Sequence, residues 1–220
     1  MNTKPILYST EMVQSILDNR KTQTRRTKGL EKFNQNPDWF RYDHLDQTED
    51  PGTEYQHFFE SLDVNGNPLE KYSMAKAPYK IGEILWVRES FNTSILNSKQ
   101  GYIYRADFDD TGKLVVWKPS IHMPKAAARI FLKVKNIRAE RLFNISESDA
   151  IAEGVDKKGE MYYDYFGEVP KVGRDFFYTN ETAKISFMGL WCKINGVDSW
   201  RNNPWVWVIE FERVEKPLNF

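Results

Sequence analysis

The sequence predicts an α+β domain built as a small mixed β-barrel with peripheral helices and two insertions. Three observations carry that reading. Several short strand-like runs are joined by only a few helical stretches, which suits a small mixed barrel better than a doubly wound sheet. The run 128–138 alternates apolar and polar side chains with the two-residue period of a strand, and 205–214 sets Trp205, Trp207, Ile209 and Phe211 on one side with the same period. The 220 residues, 40% hydrophobic and 28% charged, suffice for one core, so a single domain is expected over 1–220, with insertions at about 28–78 and 155–180.

In chain order, Lys4 to Tyr8 reads as an edge strand, with Pro5 near its start, where a missing N–H does least harm. Thr10 offers an N-cap to a helix carrying Met12, Val13, Ile16 and Leu17 at helical spacing. That helix is expected to stop at Asp18-Asn19, because asparagine tolerates the left-handed conformation. From about Lys28 to Pro78 the Asn, Asp, Gln, Pro and Gly content, with scattered Trp39, Phe40, Phe58 and Phe59, predicts an insertion that is largely loop. Ile84 to Glu89 is a strand apolar on both faces until its charged end. Gly101–Asp107 and Leu114–Trp117 predict a hairpin turning at Asp109-Asp110-Thr111-Gly112. Ala128 to Arg138 sets Ile130, Leu132 and Val134 on one face and Lys133 and Lys135 on the other. Ser146 caps a short helix that ends at Glu153-Gly154, and the second insertion follows. A helix from about Glu181 to Ile194 places Ile185, Met188, Trp191 and Ile194 in a stripe read as its core face. In the last strand Trp205, Trp207, Ile209 and Phe211 share a side and are assigned to the core.

Lys plus Arg and Asp plus Glu each total 31, so there is no global field for a polyanion, and contacts to nucleic acid have to come from local clusters. No apolar run approaches the roughly 20 residues that cross a bilayer, and Met1 to Pro5 lacks an apolar leader, so no membrane partner is expected. A single cysteine, Cys192, reads as a buried thiol, and cytoplasmic residence is the expectation. Three histidines, His44, His57 and His122, with one cysteine give no metal-ligand spacing, and neither a phosphate-binding glycine loop nor a nucleophile elbow is present. No metal and no cofactor are therefore expected.

The most informative run is Arg20-Lys21-Thr22-Gln23-Thr24-Arg25-Arg26. Just past a helix end the chain can turn so that Lys21 and Thr24 face one cavity, while Arg20, Arg25 and Arg26 reach outward to phosphates. A lysine in a dry cavity loses proton affinity and can take a proton from a neighbouring hydroxyl or water. The plain alternative is a charged helix exit that only solubilises. Trp86, Trp117 and Tyr104 are candidates for stacking a base, or for filling the barrel. His122, on a Pro-flanked loop, is a candidate base contact, or a packed residue that holds the loop. Arg88 and Glu89 end a strand, where a polar cleft role competes with a structural one.

Asn-Arg-Lys-Thr-Gln-Thr-Arg-Arg at 19–26, Lys-Ile-Gly-Glu-Ile-Leu-Trp-Val-Arg-Glu at 80–89 and Trp-Val-Trp-Val-Ile-Glu-Phe at 205–211 resemble the motifs of ASCH domains. Trp117 to Pro124 and Ile145-Ser146-Glu147 leading to Glu153-Gly154 resemble ASCH-like proteins of bacteriophages and prophages. The resemblance implies a PUA-like barrel with a cleft for RNA or nucleosides, and a bacterial or phage-infected cytoplasm. A small bacterial member removes acetyl from N4-acetylcytidine with a lysine and a threonine of this motif and a glutamate from the following helix. Those roles fall on Lys21, Thr24 and Glu153. Thr24 or a water would attack the acyl carbon, Lys21 would accept the proton, and Glu153 would protonate the leaving amine. The chain departs from the family pattern at Asn19, where glycine is usual, and in an insertion of about fifty residues directly after the motif. The resemblance thus points to a nucleobase- or RNA-binding protein and to a metal-independent amidohydrolase. A non-catalytic binder of RNA or a modified nucleotide, a phage protein that captures a host factor through its long insertion, and a metal-free ribonuclease stand as alternatives.

Overall fold

The computed structural model describes residues 3–46, 56–96, 99–108, 115–158, 161–163, 179–180 and 182–220. The first strand, β1 (Thr3–Leu7), leads into α1 (Thr10–Leu17). Ser9, rather than Thr10, caps this helix, its hydroxyl accepting the Met12 N–H at 3.4 Å. Asn19 then takes φ 60, the left-handed conformation expected of it, and β2 (Gln23–Arg26) begins a few residues later.

The first insertion is not the loop that its composition predicts. It folds into α2 (Glu31–Asn34) and the antiparallel strands β3 (Phe40–Asp46), β4 (Gln56–Leu62) and β5 (Pro68–Ala75), paired in the order β3-β4-β5. Leu30, Phe33, Phe59 and Ala75 are buried in the same core as Trp205 and Trp207. Bulges between Tyr42 and His44 and between Glu60 and Leu62 break the two-residue period, which hides these strands from a pattern search.

After β6 (Ile84–Arg88), the chain makes a hairpin of β7 (Phe91–Leu96) and β8 (Lys99–Tyr104). This corrects the expected pairing of 101–107 with 114–117. The later strand pairs backward, Tyr104 opposite Phe91, and residues 115–117 form no strand, meeting the hairpin only through the Phe91–Lys118 bridge. The expected turn at Asp109 to Gly112 lies outside the described residues. Then follow β9 (Phe131–Arg141), α3 (Glu147–Ala152), the short β10 (Lys157–Lys158), β11 (Met161–Tyr163) and β12 (Thr179–Asn180), α4 (Ala183–Asn195), α5 (Val197–Arg201) and β13 (Trp205–Val214). Most of the expected second insertion lies outside the described residues; β10, β11 and β12 form a small antiparallel sheet within it.

The architecture is mixed α+β, mostly sheet. The main sheet runs β1-β6-β9-β13-β2, with β1 parallel to β6 and every other pair antiparallel. The edge position expected for the first strand is therefore its real one. β13 is buried on both faces: Trp205, Trp207, Ile209 and Phe211 enter the main core, while Val206 and Val208 pack with Ala150 of α3 and Phe187 and Leu190 of α4. Ile130, Leu132 and Val134 reach the main core as the alternation requires, and Lys133 and Lys135 stay exposed.

The face of α4 differs from the predicted stripe. Ala183, Phe187, Leu190 and Trp191 are buried, whereas Ile185 is 43% and Ile194 50% exposed. Both stripes are apolar, so helical periodicity alone cannot choose between them; packing on β13 and α3 does. No helix among the described residues is long and apolar enough to cross a membrane.

Candidate functional site

The cationic segment threads between α1 and the C-terminal end of α3. Lys21 N–H donates to the Ser15 carbonyl, and Thr22 N–H to the Ala152 carbonyl, so the end of α3 is tied directly to the motif. Gly154 makes this approach feasible. It takes φ +84, and an added Cβ would stand 2.7 Å from Lys21 Cβ and 2.9 Å from Ser15 Cβ.

Lys21 is buried, with its side chain fully out of solvent. Its Nζ donates to Glu153 Oε2 at 2.7 Å and to the Glu153 carbonyl at 2.8 Å. Burial pushes the ammonium below the ordinary lysine range, and the Glu153 carboxylate opposes that shift without cancelling it. Glu153, the C-cap of α3, is 4% exposed and accepts Arg25 Nη1 on its other oxygen at 3.0 Å.

Arg25 does not reach outward to phosphate as expected. It is 3% exposed and held by Glu140 at 2.6 Å, Asp149 at 3.4 Å and Glu153. Arg138 extends the network to Glu140, Asp149 and Glu210. Gln23 Nε2 donates to the Asp149 carbonyl at 2.7 Å. Burial works to raise the Asp149 carboxyl, but the Ser146 hydroxyl, Arg25, Gln23 and Arg138 outweigh it and hold the group below the ordinary carboxylate range. The reason lies in the strand's position: β2 lies against β13 and under α3, so Arg25 is enclosed and needs carboxylate partners.

Thr24 and Glu153 open onto a cleft of ≈ 180 Å³. Phe187, Leu190 and Trp191 of α4 form its apolar wall, and Arg26 and Lys28 lie along its cationic side. The volume is below the roughly 300–1,000 Å³ of a drug-sized pocket, enough for one small ring or an acyl group rather than an extended polymer. Beneath Thr24 lies Tyr8, 3% exposed, with Lys21 Nζ 5.8 Å and the Arg26 guanidinium 5.3 Å from its ring centroid. Among the described residues its hydroxyl completes no hydrogen bond, the Thr24 side chain being its hydroxyl neighbour, and burial raises its pKa far above the ordinary tyrosine range, with Arg26 and Thr24 working against that rise.

The expected residues thus divide. Thr24, Glu153, Arg25 and Arg26 come together at the cleft, and Lys21, which does not line it, is bonded to Glu153. Arg20 is turned aside, paired with Asp18 at 3.1 Å and Asp156 at 3.7 Å and donating to the Gly154 carbonyl at 3.2 Å. Trp86, Trp117 and His122 do not line it. Trp86 is buried in a separate cluster with Phe91, Met123 and Phe131. Trp117 packs on Phe108 with ring centroids 5.3 Å apart, and His122 is exposed on a short turn after Pro119.

Glu89 and Tyr104 belong to a clamp of their own: Glu89 accepts Arg129 through two bonds at 2.8 and 2.9 Å, Arg129 also holds Asp107 at 2.7 Å, and its guanidinium lies 3.9 Å over Tyr104. The Tyr104 hydroxyl donates to the Ala127 carbonyl at 2.7 Å, which fits a packing role and leaves stacking on a base without support. Arg88 donates to the Ile121 carbonyl.

Sequence reading missed Tyr8, Glu140 and Asp149. Glu140 stands in β9 opposite Val206, with β13 alone between it and Arg25 in β2; only the strand order reveals that. Among the described residues no group of three His, Cys, Asp or Glu side chains is arranged to hold a metal ion. Compared with known proteins, the chain matches no family model, no curated protein and no solved structure.

Proposed function

We propose that the cleft binds a nucleobase or nucleoside and hydrolyses an N-acyl group from it, as an ASCH-type amidohydrolase acting on N4-acetylcytidine-like substrates. One observation carries the reading: Thr24 and Glu153 face a single cleft, and a fully buried lysine is bonded to that glutamate at 2.7 Å. The same reading takes the five-stranded sheet as the wall of a PUA-like barrel. It is supported by Arg26, on one edge strand, donating to the Leu7 carbonyl of the other at 2.9 Å.

In the proposed reaction, the acyl carbon lies against Thr24. As the Thr24 oxygen, or a water beside it, bonds to that carbon, its proton enters the Lys21–Glu153 pair. The C–N bond breaks as Glu153 gives a proton to the departing amine nitrogen. If Thr24 is acylated, water releases the acid by the same steps in reverse order, and the pair regains its starting proton count. Arg25 keeps Glu153 in place throughout, and the apolar α4 wall excludes water from the acyl group. Purified protein should release cytidine from N4-acetylcytidine in a chromatographic assay, and Thr24→Val and Glu153→Gln should not. Parent protein that leaves the substrate intact, or variants that match the parent rate, would count against the hydrolase.

A second reading, binding without hydrolysis, is favoured by the engagement of both Glu153 oxygens with internal cations. It predicts saturable binding of the acylated nucleoside without turnover. The host-capture reading has lost its simplest support, because the first insertion contributes Phe33 and Phe59 to the main core rather than standing out as an arm.

A further inference from the structure

We infer that Tyr8 is a positioning residue of the cleft, its hydroxyl a donor that the fold leaves unused and that engages Thr24 Oγ1 when ligand is bound. The inference rests on the proposed reading of the site.

Three observations point there. Tyr8 is 3% exposed, yet its hydroxyl completes no hydrogen bond among the described residues, a condition native structures rarely tolerate without a use for the group. The polar side chains acting on that hydroxyl are Arg26, Glu153, Thr24 and Tyr79, and the first three of these line the cleft. The ring itself is fixed, wedged between Arg26, Lys21 and Phe211, so the oxygen cannot swing elsewhere to find a partner. With its pKa raised, the phenol stays protonated and serves only as donor or acceptor, never as a base near neutral pH. Thr24 already acts on this hydroxyl without completing a bond to it, so a small rotation of its side chain would close the contact. The Tyr8 hydroxyl would then hold the Thr24 rotamer, leaving the threonine's own proton directed at the Lys21–Glu153 pair.

Tyr8→Phe isolates the effect, since it keeps the ring and removes one oxygen. The parent, Tyr8→Phe, Thr24→Val and the double variant are assayed on N4-acetylcytidine, with urea unfolding measured on each. The expected result is a Tyr8→Phe protein at least as stable as the parent, with kcat down about tenfold, KM within twofold, and no further loss in the Thr24→Val background. An unchanged kcat would overturn the inference while leaving the hydrolase standing. If the parent neither binds nor hydrolyses the substrate, the proposed function fails, and stability decides Tyr8 separately. Undiminished stability in Tyr8→Phe keeps the hydroxyl as a group the fold does not use. A loss that disappears in the Thr24→Val background makes it an ordinary structural hydrogen bond and ends the proposal.

Discussion

Replacing Lys21 with methionine removes the charge from the centre of the site while keeping most of the side chain's volume. The Lys21–Glu153 contact is 2.7 Å; at an effective dielectric of about 20 its Coulomb energy is about 6 kcal/mol, most of it offset by the desolvation of both ions. Truncating one member of a buried pair commonly costs about 3–5 kcal/mol, because the other charge is left behind. Here Glu153 retains Arg25 at 3.0 Å, which places the expected loss near the lower end, at about 3 kcal/mol. For a chain of this length that is a fall in Tm of roughly 6–12 °C. Urea unfolding followed by tryptophan fluorescence measures it at pH 7. Lys21→Met combined with Glu153→Gln should recover part of the loss, since the charge left behind is removed while the Gln amide oxygen can still accept from Arg25. The pH dependence has a definite sign. Lys21 has a lowered pKa in the folded state, so between that value and its ordinary one the unfolded chain binds the extra proton. The parent therefore gains stability relative to Lys21→Met as pH rises through that window, and loses it as pH falls. A loss under about 1 kcal/mol at pH 7, or no recovery in the double variant, would mean that the pair is solvated and the buried-site reasoning is wrong.

Gly154→Ala should cost about 2–4 kcal/mol, combining a left-handed φ with Cβ contacts of 2.7 and 2.9 Å to side-chain Cβ atoms that have little room to move; thermal unfolding of the variant checks this. His57 is 1% exposed and burial lowers its pKa to about 4. The unfolded chain then binds the proton between pH 6.5 and 4, and roughly 3 kcal/mol of stability present above pH 6.5 is lost as pH falls through that range. His57→Phe should flatten that acid slope in urea titrations. Phe59→Ala should destabilise by about 3–5 kcal/mol in the same titrations if the first insertion is core, and by under 1 kcal/mol if it is an appended arm. With Arg25 enclosed, Arg26 and Lys28 are the cations along the cleft. RNA binding through them would show a salt slope of only about −1.4 in log K against log salt; a measured slope steeper than about −4 would place the polyanion site elsewhere.

Legibility in the sequence followed the range over which each signal acts. The end of α1 at Asn19, the cap at Ser146 and the stop at Gly154 are set by one or two residues and could be read directly. The same holds for β9, whose Lys133 and Lys135 mark an open face. β13 was located but understood by half, because a strand covered on both sides shows no polar face from which to infer the second layer. The first insertion failed for a different reason. Its strands are interrupted by bulges and present exposed residues such as Tyr72 and Met74, so composition resembled loop although Phe33 and Phe59 were already core residues.

The motif at 20–26 shows where such reading stops. Residue types implied Lys21, Thr24 and Glu153 as partners only through the resemblance to ASCH domains; the fold sets Thr24 and Glu153 on one cleft, with Lys21 buried and bonded to Glu153. Residue types could not say which cations would be free. Arg20, Arg25 and Arg26 are equivalent in sequence, yet Arg20 is half-exposed beside Asp18 and Asp156, Arg25 is enclosed by three carboxylates, and Arg26 reaches the Leu7 carbonyl. The difference lies in what the neighbouring strands supply: Glu140 from β9, and Asp149 and Glu153 from α3 and its cap. An arginine already neutralised by Glu140, Asp149 and Glu153 has little to offer a phosphate, because binding would have to break bonds that are made in a dry site. The cleft therefore suits a small ligand recognised by Thr24 and Glu153 better than a phosphate backbone, and this favours the nucleoside over RNA among the readings the motif allows.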